Sequence, residues 1–203
     1  MNDNSFTVIR KWLFLTAIVL VAGIFTAFPT FGEHFLLHMD AMPWSLVWQC
    51  FTCHLVHWTP EHYIYDAICF VAFAGTLSRR TLYRTLLVAA PVVAVVVFLW
   101  CPELRTYGGL SGVNCALFAQ FTLQLDRKKA FLGKLFLVGI LCKIVLEIVT
   151  DRTFFATTGF VPVHAAHLAG VAAGLLSSGC WLRSHLDGVE RRPAKPIDAP
   201  CGG

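Results

Sequence analysis

Charge is scarce in this sequence. Asp, Glu, Lys and Arg make up 14% of its 203 residues, against roughly 25% in soluble domains. That shortage excludes an ordinary soluble globular fold. The alternation of apolar and polar residues that marks barrel strands is absent too. Helices are left, because they satisfy their own backbone hydrogen bonds within lipid. No internal repeat and no second domain is visible. Charges deep inside apolar runs are almost missing. Lys143 and Glu147 are the exception, spaced four apart and read as partners. A transporter shows more such charges, with broken helices in paired halves. The net charge of +4 is no nucleic-acid signal, because the basic residues are sorted by position along the chain.

What is present is apolar length. Hydrophobic residues reach 57% and the mean hydropathy is +0.66. Six blocks stand out: Trp12–Phe28, Glu61–Leu77, Thr81–Leu99, Gly109–Leu125, Phe131–Val149 and Pro162–Trp181. Each is near the ~20 residues that a bilayer requires. With the N-terminus cytoplasmic, thirteen of the sixteen Lys and Arg fall on the inside. Only Arg105 and Arg152 fall outside, and Lys143 lies within a span. The positive-inside rule therefore predicts an all-α, polytopic membrane protein of six transmembrane helices with both termini cytoplasmic. Residues 1–11 form the N-terminal segment, 12–183 the membrane domain, and 184–203 a polar, basic, disordered tail. Arg10-Lys11 before an apolar run looks like a signal peptide, but Phe28-Pro29-Thr30 is no small-residue cleavage site. A retained anchor is expected. Trp12, Trp44, Trp48, Trp58 and Trp181 fall near span ends, as interface anchors do.

In that layout spans two, four and six run from outside to inside. His62 and Asp66 start span two, Ser111 starts span four, and His167 lies in the first two turns of span six. All four share one depth, and ionisable residues within a membrane are functional candidates. Gly108, Gly112 and Ala116 form one small-residue ridge; Ala166, Gly170, Gly174 and Ser178 form another. Such ridges let helices approach closely, which would bring His167 to Ser111. A serine hydroxyl becomes a nucleophile when a base takes its proton, and neutral imidazole suits that role near pH 7. Backbone N–H groups around Gly109, Leu110 and Ser111, at a helix start, are expected to lack intrahelical partners and to face an oxyanion. His62 can add a side-chain donor. No third carboxylate to orient His167 is evident.

These residues resemble a known family. Gly108-Gly109-Leu110-Ser111-Gly112-Val113 is similar to the Gly-x-Ser-Gly motif of rhomboid intramembrane serine proteases. Ala166-His167-Leu168-Ala169-Gly170 resembles their Ala-His-x-x-Gly motif, and the segment from His57 through His62 to Asp66 resembles their His-x4-His-x3-Asn segment. The resemblance covers roughly Trp12–Arg183. It implies Ser111 as nucleophile, His167 as base and acid, and His62 with position 66 as oxyanion-side partners. It implies a transmembrane protein substrate in the bilayer of a bacterial inner membrane. The small six-span form looks most like the rhombosortase branch, whose members are thought to process C-terminal sorting helices. Three positions depart from the pattern. Asp66 stands for Asn, and an ionised carboxylate repels an oxyanion. Cys115 replaces a Tyr that would stack on His167. Trp48-Gln49 stands where a Trp-Arg pair is expected.

Two rival readings follow from the remaining signals. Asp66 and Cys115 motivate a catalytically silent rhomboid-like protein that binds membrane helices. Cys50-Phe51-Thr52-Cys53-His54 matches the haem-attachment pattern, and His54, His57, His62, His164 and His167 can be considered as metal ligands. No outer acidic pair at ligand spacing strengthens the metal reading, and no cofactor is expected. A Cys50–Cys53 disulfide, two free thiols, or a longer bridge to Cys101 is the alternative to haem. His54 and His57 are otherwise loop-shaping histidines at the interface, and His164 either lines the site or, the favoured alternative, only reaches water. Cys69, Cys115, Cys142 and Cys180 read as small apolar residues. The oligomeric state is open.

Overall fold

The computed structural model describes residues 3–125, 128–150 and 163–178. Six longer helices dominate them: α1 (Asp3–Ala27), α4 (Pro60–Thr76), α5 (Arg79–Trp100), α6 (Ser111–Leu123), α7 (Ala130–Thr150) and α8 (His164–Ser177). Two shorter ones, α2 (Pro29–Gly32) and α3 (Pro43–Thr52), lie in the long connection after α1. Each of the six blocks read from sequence overlaps one of these six helices among the described residues. The tail 184–203, with Arg127, Arg152, Cys180, Trp181 and Arg183, lies outside the described residues.

Local chemistry sets the helix starts. Thr59 caps α4, its hydroxyl accepting from the His62 N–H at 3.1 Å, and Pro60 takes the first position, where a missing N–H costs nothing. Ser78 caps α5 through the Thr81 N–H at 3.2 Å. At the other end of α4, Lys11 Nζ donates to the carbonyls of Gly75 at 2.6 Å and Leu77 at 2.8 Å. A cation there meets the negative end of the helix dipole. That contact joins the start of α1 to the end of α4.

Two expectations change. The chain is not purely helical: Leu37–His38 (β1) and Thr106–Tyr107 (β2) form a short antiparallel ladder, Leu37 opposite Tyr107 and His38 opposite Thr106. It ties the connection after α1 to the loop that leads into α6. The fourth block is also shorter than read. Gly108 and Gly109 belong to the loop, and α6 has 13 residues, about 20 Å of helix against a hydrocarbon core of about 30 Å. Only Phe6–Ala27 and Arg79–Trp100 are long and apolar enough by themselves to cross a membrane, among the described residues.

The short helix survives because it is enclosed. α6 packs against α4, α5, α7 and α8, and Ala116, Leu117 and Ala119 are fully buried. Leu110, Val113 and Leu117 share a core with Leu15, Phe70 and Leu82. The outside is apolar as well: Leu20, Ile68, Leu99, Phe131 and Leu176 are exposed on five different helices. Apolar exposure all round a bundle suits lipid rather than water.

Candidate active site

The two small-residue ridges meet as expected. A Cβ added to Gly170 would collide with the Gly112 carbonyl, and one on Gly174 would lie 2.5 Å from the Ala116 carbonyl. A Cβ on Gly112 would lie 2.9 Å from the Ala166 carbonyl. Backbone therefore touches backbone where α6 crosses α8. Ser111 precedes Gly112 and His167 follows Ala166, so the two residues occupy the same level of the crossing. Both are half-buried. No hydrogen bond joins the Ser111 hydroxyl to the His167 imidazole among the described residues.

Beside this crossing lies a tighter polar cluster. Asp66 Oδ2 is 3.2 Å from His57 Nε2 and 3.3 Å from His62 Nε2. Its other oxygen accepts from Asn114 Nδ2 at 3.2 Å, and the same nitrogen donates to the Asp66 backbone carbonyl at 3.0 Å. All four residues are buried. His62 and Asp66 share one face of α4 because they are four apart. His57 comes from the preceding loop, and Asn114 sits one turn below Ser111. Gly109 covers the cluster at φ 127°. A side chain there would be strained, and its Cβ would lie 3.0 Å from the His62 ring.

The loop before Ser111 is held by contacts outside the helix. The Gly109 N–H donates to the Cys53 carbonyl at 3.1 Å, and the Leu110 N–H to His57 Nε2 at 3.4 Å. These two N–H groups have partners in the resting site. The Ser111 N–H, at the first position of α6, stays outside the intrahelical ladder. His54 is no interfacial residue either. It is buried, with Nε2 2.9 Å from the Ala90 carbonyl and Nδ1 3.2 Å from the Gly109 carbonyl. Burial pushes its pKa down, and the carbonyl contacts oppose that. His54 thus pins the loop to α5. His57, also buried, faces Asp66 rather than the interface.

The Cys-x-x-Cys-His run is packing. Cys53 is fully buried with Leu37, Val93 and Tyr107, and both His54 nitrogens face carbonyls. Cys50, Cys53 and Cys101 are free thiols, so neither disulfide alternative is formed. Cys115 packs beside Gly170. Gln49, in the place of an expected Arg, turns inward and accepts from the His38 N–H at 3.3 Å.

Lys143 and Glu147 pair as read, at 2.7 Å. His164 does more than reach water: its Nδ1 is 3.8 Å from the buried Glu147, and its ring centroid lies 6.5 Å from that of His167. Sequence reasoning missed Asn114 and this Glu147–His164 approach. Asn114 was findable as an amide one turn after Ser111; the approach depends on how α7 meets α8.

The helical scaffold and these motifs match a known family. The rhomboid domain matches residues 45–184, well over half of the chain. The chain belongs to the rhomboid family, a family of membrane proteins that are generally intramembrane serine proteases. No curated protein matches it.

Proposed function

We propose that this protein is a serine endopeptidase that cuts a peptide bond in or near a transmembrane segment, using Ser111 and His167 as a dyad. The supporting observation is the contact of Gly112 with Ala166, which sets their neighbours Ser111 and His167 at one level. In this reading His167 takes the Ser111 proton as the hydroxyl attacks the scissile carbonyl. The Ser111 N–H and the His62 ring donate to the developing oxyanion. His167 then passes its proton to the leaving amine, and water releases the acyl group. Resting catalytic hydrogen bonds are often long and tighten when substrate binds, so the missing Ser111–His167 bond is compatible with this chemistry.

The six helices span a bacterial inner membrane in this reading, with both termini cytoplasmic and the site near the outer face. Water reaches Ser111 from the outer face in this reading. The substrate in this reading is a single-span or tail-anchored protein whose helix unwinds locally, with a C-terminal sorting helix of the rhombosortase type as the form to test. Co-expression with proteins bearing such helices tests this. Release should occur with the parent and disappear with Ser111→Ala, and a fluorophosphonate should label the parent alone. Equal release and labelling by Ser111→Ala would remove the reading. A second reading, helix binding without hydrolysis, draws on Asp66 Oδ2 lying against the His62 nitrogen that an oxyanion needs. Cleavage of any helix reporter dismisses it.

A further inference from the structure

The His57, His62 and Asp66 cluster has a geometry that the proposed hydrolysis does not require. The three ligand-type atoms lie within 4.8 Å of one another. Two of the separations are 3.2 and 3.3 Å. Bonds of ~2.0–2.1 Å in a tetrahedral metal site put ligand atoms about 3.3 Å apart. Asp66 Oδ2 therefore already stands at coordinating separation from both imidazole nitrogens.

The hydrogen bonding is unresolved at that point. His57 Nε2 accepts from the Leu110 N–H, which requires a lone pair on that nitrogen. The same nitrogen faces Asp66 Oδ2 at 3.2 Å, and a carboxylate oxygen donates nothing. One nitrogen cannot accept from Leu110 and also donate to Asp66. A cation among the three atoms takes that lone pair and bridges the nitrogen to Asp66 Oδ2, at the cost of the long Leu110 contact of 3.4 Å. Asn114 engages the other carboxylate oxygen and so aims Oδ2 at the cluster, the outer-shell orientation that ligating carboxylates usually have. Two imidazoles with one carboxylate suit Zn²⁺, Co²⁺ or a similar transition ion, whereas Ca²⁺ and Mg²⁺ demand oxygen.

We infer that His57 Nε2, His62 Nε2 and Asp66 Oδ2 form a binding site for one divalent transition-metal ion of the zinc class. Four backbone and side-chain elements converge there: the loop carrying His57, the first turns of α4, the Gly109 cover and Asn114. Binding itself is independent of hydrolysis. Its consequence rests on the protease reading: a coordinated His62 nitrogen has no hydrogen for an oxyanion, so the ion holds the enzyme inactive until it is removed.

Purified full-length protein, stripped with chelator and without a histidine tag, would be titrated with Co²⁺ and Zn²⁺. One Co²⁺ per chain is expected, with the visible absorption of a four- or five-coordinate site, displaced by Zn²⁺. X-ray absorption of the Zn²⁺-loaded parent should show two imidazoles and a carboxylate oxygen. Asp66→Asn, nearly isosteric and able to keep both Asn114 contacts, should weaken binding at least tenfold, as should His57→Gln. Exposed His34→Ala should bind as the parent does. No stoichiometric binding by the parent, or parent-like affinity in both Asp66→Asn and His57→Gln, overturns the site. Ser111→Ala should bind normally, which separates this test from the protease reading. Zn²⁺ should suppress parental cleavage at least tenfold and reversibly. Full cleavage with the ion bound would overturn the inhibitory role.

Discussion

The crossing of α6 and α8 has two ends, and they are built differently. At the far end Gln120 Nε2 donates to the Gly174 carbonyl at 2.5 Å and to Ser177 Oγ at 3.1 Å. Ser177 in turn reaches the Gly174 carbonyl at 2.9 Å and lies 3.3 Å from Thr85 Oγ1 of α5. Every one of these groups is buried and bonded, as polar groups in an apolar interior should be. At the near end Ser111 and His167 share the same crossing, are half-buried, and are not bonded to each other. The first end fixes how α5, α6 and α8 meet. The second holds a hydroxyl and an imidazole at one level without a hydrogen bond between them. Under the proposed protease reading, polar groups that hold the fold are satisfied, whereas those offered for chemistry are not.

The largest effect should come from the near end. His167→Ala should lower kcat by about 10⁴-fold or more, and adding Ser111→Ala should cost little further, because dyad members act as a unit. Reporter cleavage in proteoliposomes measures both, and independent, multiplying losses would break the pairing. Ser111→Ala, which removes one oxygen and no hydrogen bond to His167, should change stability by less than about 1 kcal/mol.

Between the ends, Gly170→Ala puts a methyl group onto the Gly112 carbonyl. Overpacking of that kind costs about 1–3 kcal/mol, and the upper end is expected here because the obstacle is backbone. Reversible unfolding in mixed micelles measures it, and a neutral result would mean that the helices are farther apart than described. At the far end Gln120→Leu should cost about 1–3 kcal/mol by leaving the Gly174 and Ser177 groups poorly satisfied. Folded protein should keep its kcat. A large fall in kcat at unchanged stability would erase the contrast between the two ends.

The smallest effect concerns Asp66. With chelator present, Asp66→Asn should raise kcat about fivefold, roughly 1 kcal/mol, by removing a carboxylate that competes with the oxyanion for His62. Single-turnover cleavage would read it, and a fall instead would mean that the carboxylate assists the chemistry.

Much of this was legible along the chain. Thr59-Pro60 announces a helix start, and the four-residue spacing of small residues in α6 and α8 announces their contact. Rhomboid membership follows from three short motifs. The misreadings share one cause. Gly108 and Gly109 look like the start of a helix because they adjoin an apolar run, yet pairing with β1 holds that segment in the loop. Cys53 and His54 look reactive because their types are, yet their neighbours in space bury one and satisfy the other.

Apolar blocks, charge sorting and residue spacing are local properties, so the sequence alone determined a helical membrane chain and where its hydroxyl, imidazoles and carboxyl fall along the helices. The partners of those groups are set by helices that meet from distant parts of the chain. Only the tertiary structure decided that Asp66 would bind inward to two histidines and an asparagine, and that Ser111 and His167 would lie level yet unbonded. The physical reason is that periodicity fixes which face a side chain occupies, whereas packing fixes what that face meets.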